Sequence, residues 1–115
     1  MALRATHRDA GPVTVVDLSG RITLGDGSAL LRKTIRGLLA DERKNILLNL
    51  ADVDYIDSSG IASLVEGLKA SRDLQARFIL FGLSKSAREV LQLSRLLKLF
   101  EIYENEEQAL SGESV

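Results

Sequence analysis

Apolar positions along the chain fall into two textures, short unbroken runs and longer stretches with one apolar residue every three or four. Asn45-Ile46-Leu47-Leu48-Asn49-Leu50 and Phe78-Ile79-Leu80-Phe81 are unbroken. They are too short and too continuously apolar for surface helices, and predict strands buried on both faces, as in a parallel sheet. Leu31, Ile35, Leu38 and Leu39 instead mark one face of a helix that runs to about Ala40, with Arg32, Lys33 and Arg36 on the outside. Ile61, Leu64, Val65 and Leu68 repeat that spacing over a second helix reaching roughly Asp73.

Punctuation residues fix the rest of the order. Leu3 to Arg8 and Val13 to Leu18 read as two strands of a hairpin, joined by Asp9-Ala10-Gly11-Pro12. After Gly20, Leu24-Gly25-Asp26-Gly27-Ser28 breaks structure, and Asp26 or Ser28 is expected to cap the first helix. Gly82-Leu83-Ser84 leads into a third helix, whose start is either Ser84 or the capping-box pair Ser86 and Glu89. Leu99 to Tyr103 predicts a last short strand, and Asn105 caps a final helix opening on Glu106 and Glu107. The expected fold is therefore α/β: a mixed, mostly parallel sheet with an antiparallel edge strand, flanked by about four helices. One domain over residues 1–110 and a flexible tail over 111–115 are expected.

Composition narrows the function classes. Hydrophobic residues make up 45% of the 115, with a single Pro, which fits a folded globule. The net charge is −1 and the charges are interspersed, so the usual footprint of nucleic-acid or anionic-membrane binding is missing. With no Cys there is no disulfide, thiol nucleophile or thiolate metal site. His7 is the only histidine and falls in an expected edge strand, which argues against Ser-His catalysis. Met-Ala-Leu-Arg-Ala-Thr-His-Arg lacks an apolar stretch of signal-peptide length, and no run is long enough to span a bilayer. A cytoplasmic protein is expected.

Three constellations have a chemical reading beside a bland one. Asp52, Asp54 and Asp57 follow a buried strand and are of the type that holds magnesium or accepts a phosphoryl group, which would make an enzyme. Interleaved Val53 and Ile56 favour loop acids with side chains alternating in and out. Gly25-Asp26-Gly27-Ser28 resembles a phosphate loop but lacks its Gly-Lys-Ser/Thr ending, so it reads as a turn and cap. Lys85, Arg88, Arg95 and Lys98 read as a solvated helix face.

Asp57-Ser58-Ser59-Gly60 is the remaining motif, and it falls where a buried strand meets a helix, the edge at which open parallel sheets collect function. With Ser58 as N-cap, Ser59 stands at the first helical position and faces outward. A helix N-terminus tolerates a phosphate there. Gly60, Ala62 and Ser63 keep the neighbouring surface low, which suits docking by a protein.

Tyr55-Ile56-Asp57-Ser58-Ser59-Gly60-Ile61-Ala62, with Asn45 to Leu50 before it, resembles the signature of the STAS domain of bacterial anti-sigma factor antagonists. Leu18-Ser19-Gly20-Arg21-Ile22, Phe78 to Ser84 and Leu96 to Ile102 extend the resemblance over nearly the whole chain. It implies a STAS-type mixed sheet and a phosphoserine at Ser59, with Asp57, Ser58 and Gly60 completing the motif. It further implies a non-catalytic, cofactor-free protein that, when unphosphorylated, binds an anti-sigma factor and so frees a sigma factor. The implied partner is also a serine kinase of the histidine-kinase-like ATPase class, opposed by a serine phosphatase. Thr23, Ser58, Ser59, Ile61, Ala62 and Ser63 are the expected contact residues. A weak homodimer is left open, as is an alternative role as a STAS subunit of a stress-signalling scaffold or lipid-transport complex. Thr23 departs from the family, which often carries an acidic residue in that loop.

Overall fold

The hairpin forms as its punctuation predicts: β1 (Arg4–Ala10) and β2 (Val13–Ile22) pair antiparallel through the Gly11-Pro12 turn. The computed structural model describes residues 2–112. After β2 come α1 (Asp26–Ala40), β3 (Asn45–Ile56), α2 (Ser58–Asp73), β4 (Arg77–Phe81), α3 (Lys85–Leu93), a 3-10 turn (Leu97–Leu99), β5 (Glu101–Tyr103) and α4 (Glu106–Ser111). The sheet order is β1-β2-β3-β4-β5, and every pair after the hairpin is parallel. The expected mixed, mostly parallel sheet with one antiparallel edge and four helices is thus present.

Alternation along the central strands sorts the core into two layers. Ile46, Leu48 and Leu50 of β3 point with Val16 and Leu80 toward α1, α2 and α3, where Leu31, Ile35, Leu64 and Leu91 meet them. Leu47 points the other way and packs with Val13, Val15, Ile79 and Phe81 beneath Ala109 of α4. Burying both faces is what demands continuous apolar strands, and each fully buried Leu or Ile contributes about 1.5–3 kcal/mol. Arg8 of β1 ties the short α4 to the sheet by bonding both Asp17 of β2, at 2.8 Å, and Glu106. Its guanidinium holds both carboxyls below their ordinary range.

Several boundaries differ from expectation. β2 does not end at Leu18 but runs on to Ile22, with register irregularities against β3 between Asp17 and Ser19 and between Gly20 and Arg21. β3 likewise continues to Ile56, so Asp52 and Asp54 are exposed positions of a strand rather than of a loop. The apolar run ends because β4 pairs with β3 only as far as Asn49, leaving the extension with one strand neighbour. On its other side Ser84, the N-cap of α3, supplies the missing partners: its N–H donates to the Leu50 carbonyl and its Oγ to that of Val53, at 2.7 Å. Ser86 is inside that helix. At the C-terminus α4 includes Ser111, and the remainder of the expected tail, from 113 on, lies outside the described residues.

Both α1 and α2 begin against the end of β2, and small residues make this possible. A Cβ on Gly27 would sit 2.6 Å from the Arg21 carbonyl oxygen, and one on Gly60 would sit 2.1 Å from that of Ile22. Gly60→Ala is therefore expected to destabilise the fold by about 2 kcal/mol or more. Gly37→Ala, where a Cβ meets nothing within 4 Å, is expected to stabilise α1 by about 0.5–1 kcal/mol. Urea melts of the two variants beside the native chain check the sign of each change.

Candidate functional site

A carboxylate organises the corner where β2 and β3 end. Asp57 has extended backbone (φ −96°, ψ −175°) and is the N-cap of α2; its Oδ1 accepts the Gly60 N–H at 2.9 Å. Its Oδ2 accepts the N–H of Leu24, also at 2.9 Å, from the loop between β2 and α1. The Asp57 N–H in turn donates to the Ile22 carbonyl. One side chain thus fastens the start of α2 to the loop before α1. The Leu24 and Gly60 N–H groups, in that order of weight, hold its carboxyl below the ordinary range against the opposing effect of desolvation.

Neither serine has the job expected of it. Ser58 is not the cap but the first helical residue, and it is exposed. Asp57 precedes it and takes the cap position, where its carboxylate makes charge-assisted bonds to backbone N–H groups. Ser59, one residue further in, is half-buried and does not face outward: its Oγ donates to Ser28 Oγ at 3.1 Å. Ser28 is not a cap either. It lies inside α1 at 1% exposure, and Gly25 takes the N-cap position with no side-chain bond. The Ser28 N–H donates to the Thr23 carbonyl at 2.9 Å, and its Oγ approaches the Gly25 carbonyl at 3.5 Å.

Ser63 is fully buried, so it is no surface residue for a partner; its hydroxyl donates to the Ser59 carbonyl at 3.0 Å. Ile61 is half-buried against the core, Ala62 is exposed, and Thr23 is half-buried in the loop. The structure therefore brings Thr23, Asp57, Ser58, Ser59 and Gly60 to one corner, with Ala62 on the adjacent open face of α2. Asp52 and Asp54 sit on β3, while the Asp57 carboxylate is turned back into backbone N–H groups.

Leu24 was not among the expected contact residues, although it stands 80% exposed beside the Asp57 cap. The available signal is an isolated Leu in a turn of Gly, Asp and Ser, where no helix or strand can bury it. Held by its own N–H on Asp57, it projects a large apolar side chain next to the serines.

Two serines thus stand at a helix N-terminus at the strand ends, beside an exposed apolar loop tip. The chain belongs to the STAS domain family, whose sequence profile matches residues 4–109. It is 32% identical over 65 residues to the anti-sigma-B factor antagonist of Listeria monocytogenes, a match covering 56% of each chain. The chain thus spans less than two thirds of the length of the curated relatives it matches. The crystal structure of an anti-sigma factor antagonist from Mycobacterium paratuberculosis superposes with a TM-score of 0.87 at 22% identity, over 99% of this chain and 96% of that one. The phosphorylated form of SpoIIAA from Bacillus superposes with a TM-score of 0.72 at 20% identity, over 96% and 99% of the respective chains. Among the described residues no helix is long and apolar enough to cross a membrane.

Asp57→Ala is expected to cost about 1 kcal/mol from the lost cap. Asp57→Asn keeps an acceptor for Gly60 but cannot lose a charge on acidification. Because the Asp57 pKa is lowered on folding, its ionic contribution is complete above the unfolded value of about 4 and fades as pH falls through the folded value. The stability gap between native and Asp57→Asn chains is therefore expected to close below about pH 4. Chemical melts at pH 7 and pH 3 measure it.

Proposed function

We propose that this chain is an anti-sigma factor antagonist switched by phosphorylation of Ser59. Unmodified, it binds an anti-sigma factor through the corner built by Leu24, Ser58, Ser59 and Ala62, with Thr23 in the loop behind, and so frees a sigma factor. The partner is itself a serine kinase of the histidine-kinase-like ATPase class, and a serine phosphatase restores the binding form. The protein acts in the cytoplasm as a non-catalytic module.

The observation that carries this reading is the setting of Ser59, at the second position of a helix whose cap and loop are fixed by one carboxylate. Phosphorylation adds about −1.5 to −2 charges. That corner already carries Asp57 and, in the first turn of α1, Asp26. Two helix N-termini offset part of the added charge inside this chain. A partner surface pressed on the same corner has no such compensation, and like-charge or desolvated contacts there cost several kcal/mol. Release then requires no rearrangement of the fold. The family relationship and the names of the relatives support the choice of partner.

Incubation with ATP and a cognate anti-sigma kinase is expected to place one phosphate on Ser59, located by mass spectrometry and abolished in Ser59→Ala. A phosphate retained by that variant overturns the assignment. Ser59→Asp is expected to weaken binding of the anti-sigma factor by roughly tenfold to a hundredfold in calorimetry. Unchanged affinity defeats the electrostatic account.

A further inference from the structure

We infer that β1 and α1 frame a second docking surface, a groove that takes an extended segment of a partner protein in which apolar and acidic residues alternate. The groove is open and holds about 580 Å³. Ala5 and His7 of β1 form one wall, and Leu30, Thr34 and Gly37 of α1 form the other. β1 is the terminal strand of the sheet, and among the described residues it pairs only with β2. At seven residues it is the longer of the two sheet edges, since β5 has three. A strand edge beside a helix is the geometry in which a peptide adds as a further strand, its backbone bonding the edge and alternate side chains entering the groove. Gly37 is an independent sign of an occupant. A Cβ there meets nothing within 4 Å, so no contact inside this chain requires a glycine, which weakens the middle of a helix relative to alanine. The missing side chain leaves the groove wall clear for another chain.

Charge selects the occupant. Side chains alternate along β1: Ala5 packs against the core cluster on the α1 side, whereas Arg8 bonds Asp17 and Glu106 on the opposite face, which Arg4 and Thr6 share. Asp41, which lines the groove, and Asp9 are both paired with Arg43. Arg4 and Lys33 belong to none of the ion pairs among the described residues, which leaves the rim cationic. A strand laid along β1 therefore meets mostly uncharged groups on its α1 side and Arg4 on the other, which suits acidic residues at alternate positions. A second copy adding through its own β1 keeps like faces together and sets the row of Arg4, Thr6 and Arg8 against itself. Like charges across strands disfavour that pairing. The arginines thus guard the edge against self-association and fit it to an acidic partner. On the other flank of α1, Arg32 bonds Glu66 of α2 and Ser28 meets Ser59, so the groove and the serine corner lie on different sides of that helix.

The probe is a synthetic peptide of alternating valine and glutamate, capped at both ends, with alternating valine and lysine as its control. In NMR titrations the acidic peptide is expected to shift the Ala5, His7 and Gly37 amide signals and to slow hydrogen exchange along β1. Absence of both effects overturns the proposal. The lysine peptide is expected to bind about tenfold more weakly, and equal binding overturns the choice of an acidic occupant. Gly37→Leu separates folding from docking: with open space around its Cβ it is expected to keep or raise the urea midpoint while weakening the acidic peptide about tenfold. A folded Gly37→Leu chain that binds as tightly as the native one removes the groove from the site. Arg4→Glu is expected to reverse the preference between the two peptides, and an unchanged preference refutes its part. Sedimentation of the chain alone covers the remaining occupant, since a dimer dissolved by Gly37→Leu would put a second copy there in place of a partner segment and overturn the assignment.

Discussion

The bond from Asp57 to two backbone N–H groups in different elements is the constraint on which the rest of the corner depends. Gly60 N–H fixes where α2 begins, and Leu24 N–H fixes where the loop before α1 runs. Because both bonds use one carboxylate, neither segment can shift without the other. Hydrogen bonds to a charged group contribute roughly 1.5–3 kcal/mol where they are sheltered, and less where solvent reaches them as it does here. Such a bond orders a surface more than it stabilises a fold. The large buried cluster between sheet and helices supplies the stability.

Steric permission comes before this electrostatics. Two helix starts converge on one strand end only if nothing projects from them at the point of contact, which is why Gly27 faces the Arg21 carbonyl and Gly60 that of Ile22. Close approach then brings two positive helix ends together, and the chain answers with Asp26 in one first turn and Asp57 at the other cap. Each helix end offsets only about half a charge, so these groups together leave the corner mildly acidic in its unmodified form. A phosphate added there, as proposed, would deepen that imbalance by more than one charge.

Much of the fold was legible because its signals are local. Unbroken apolar runs marked the two-sided strands, 3.6-residue spacing marked α1 and α2, and Gly11-Pro12 and Asn105 marked a turn and a cap. The ends of β2 and β3 were not legible, because their polar extension is stabilised by partners remote in sequence, with Ser84 standing in for a neighbouring strand. The site was legible as a motif but not as a geometry. Asp57-Ser58-Ser59 contains three competent cap residues in a row, and which one caps depends on where Leu24 presents its N–H, a contact across 33 positions. Ser28 shows the same limit: its residue type is that of a cap, yet burial against α2 makes it a partner of Ser59 instead.

The difference between the two serines bears on how a local modification is read. Accessibility alone favours Ser58, which is exposed and stands at the first position of α2. A phosphate there would hang in solvent, where screening within about 8–10 Å weakens its influence on anything but an immediate partner. Ser59 is less accessible, but its hydroxyl touches α1 and its carbonyl is bonded by Ser63. Replacing that hydroxyl therefore changes a contact between two elements, and the loop carrying Leu24 is joined to both of them, through the Thr23 carbonyl on one side and Asp57 on the other. Under the proposed reading, modification of Ser59 is harder to reach than modification of Ser58 but alters a contact between α1 and α2.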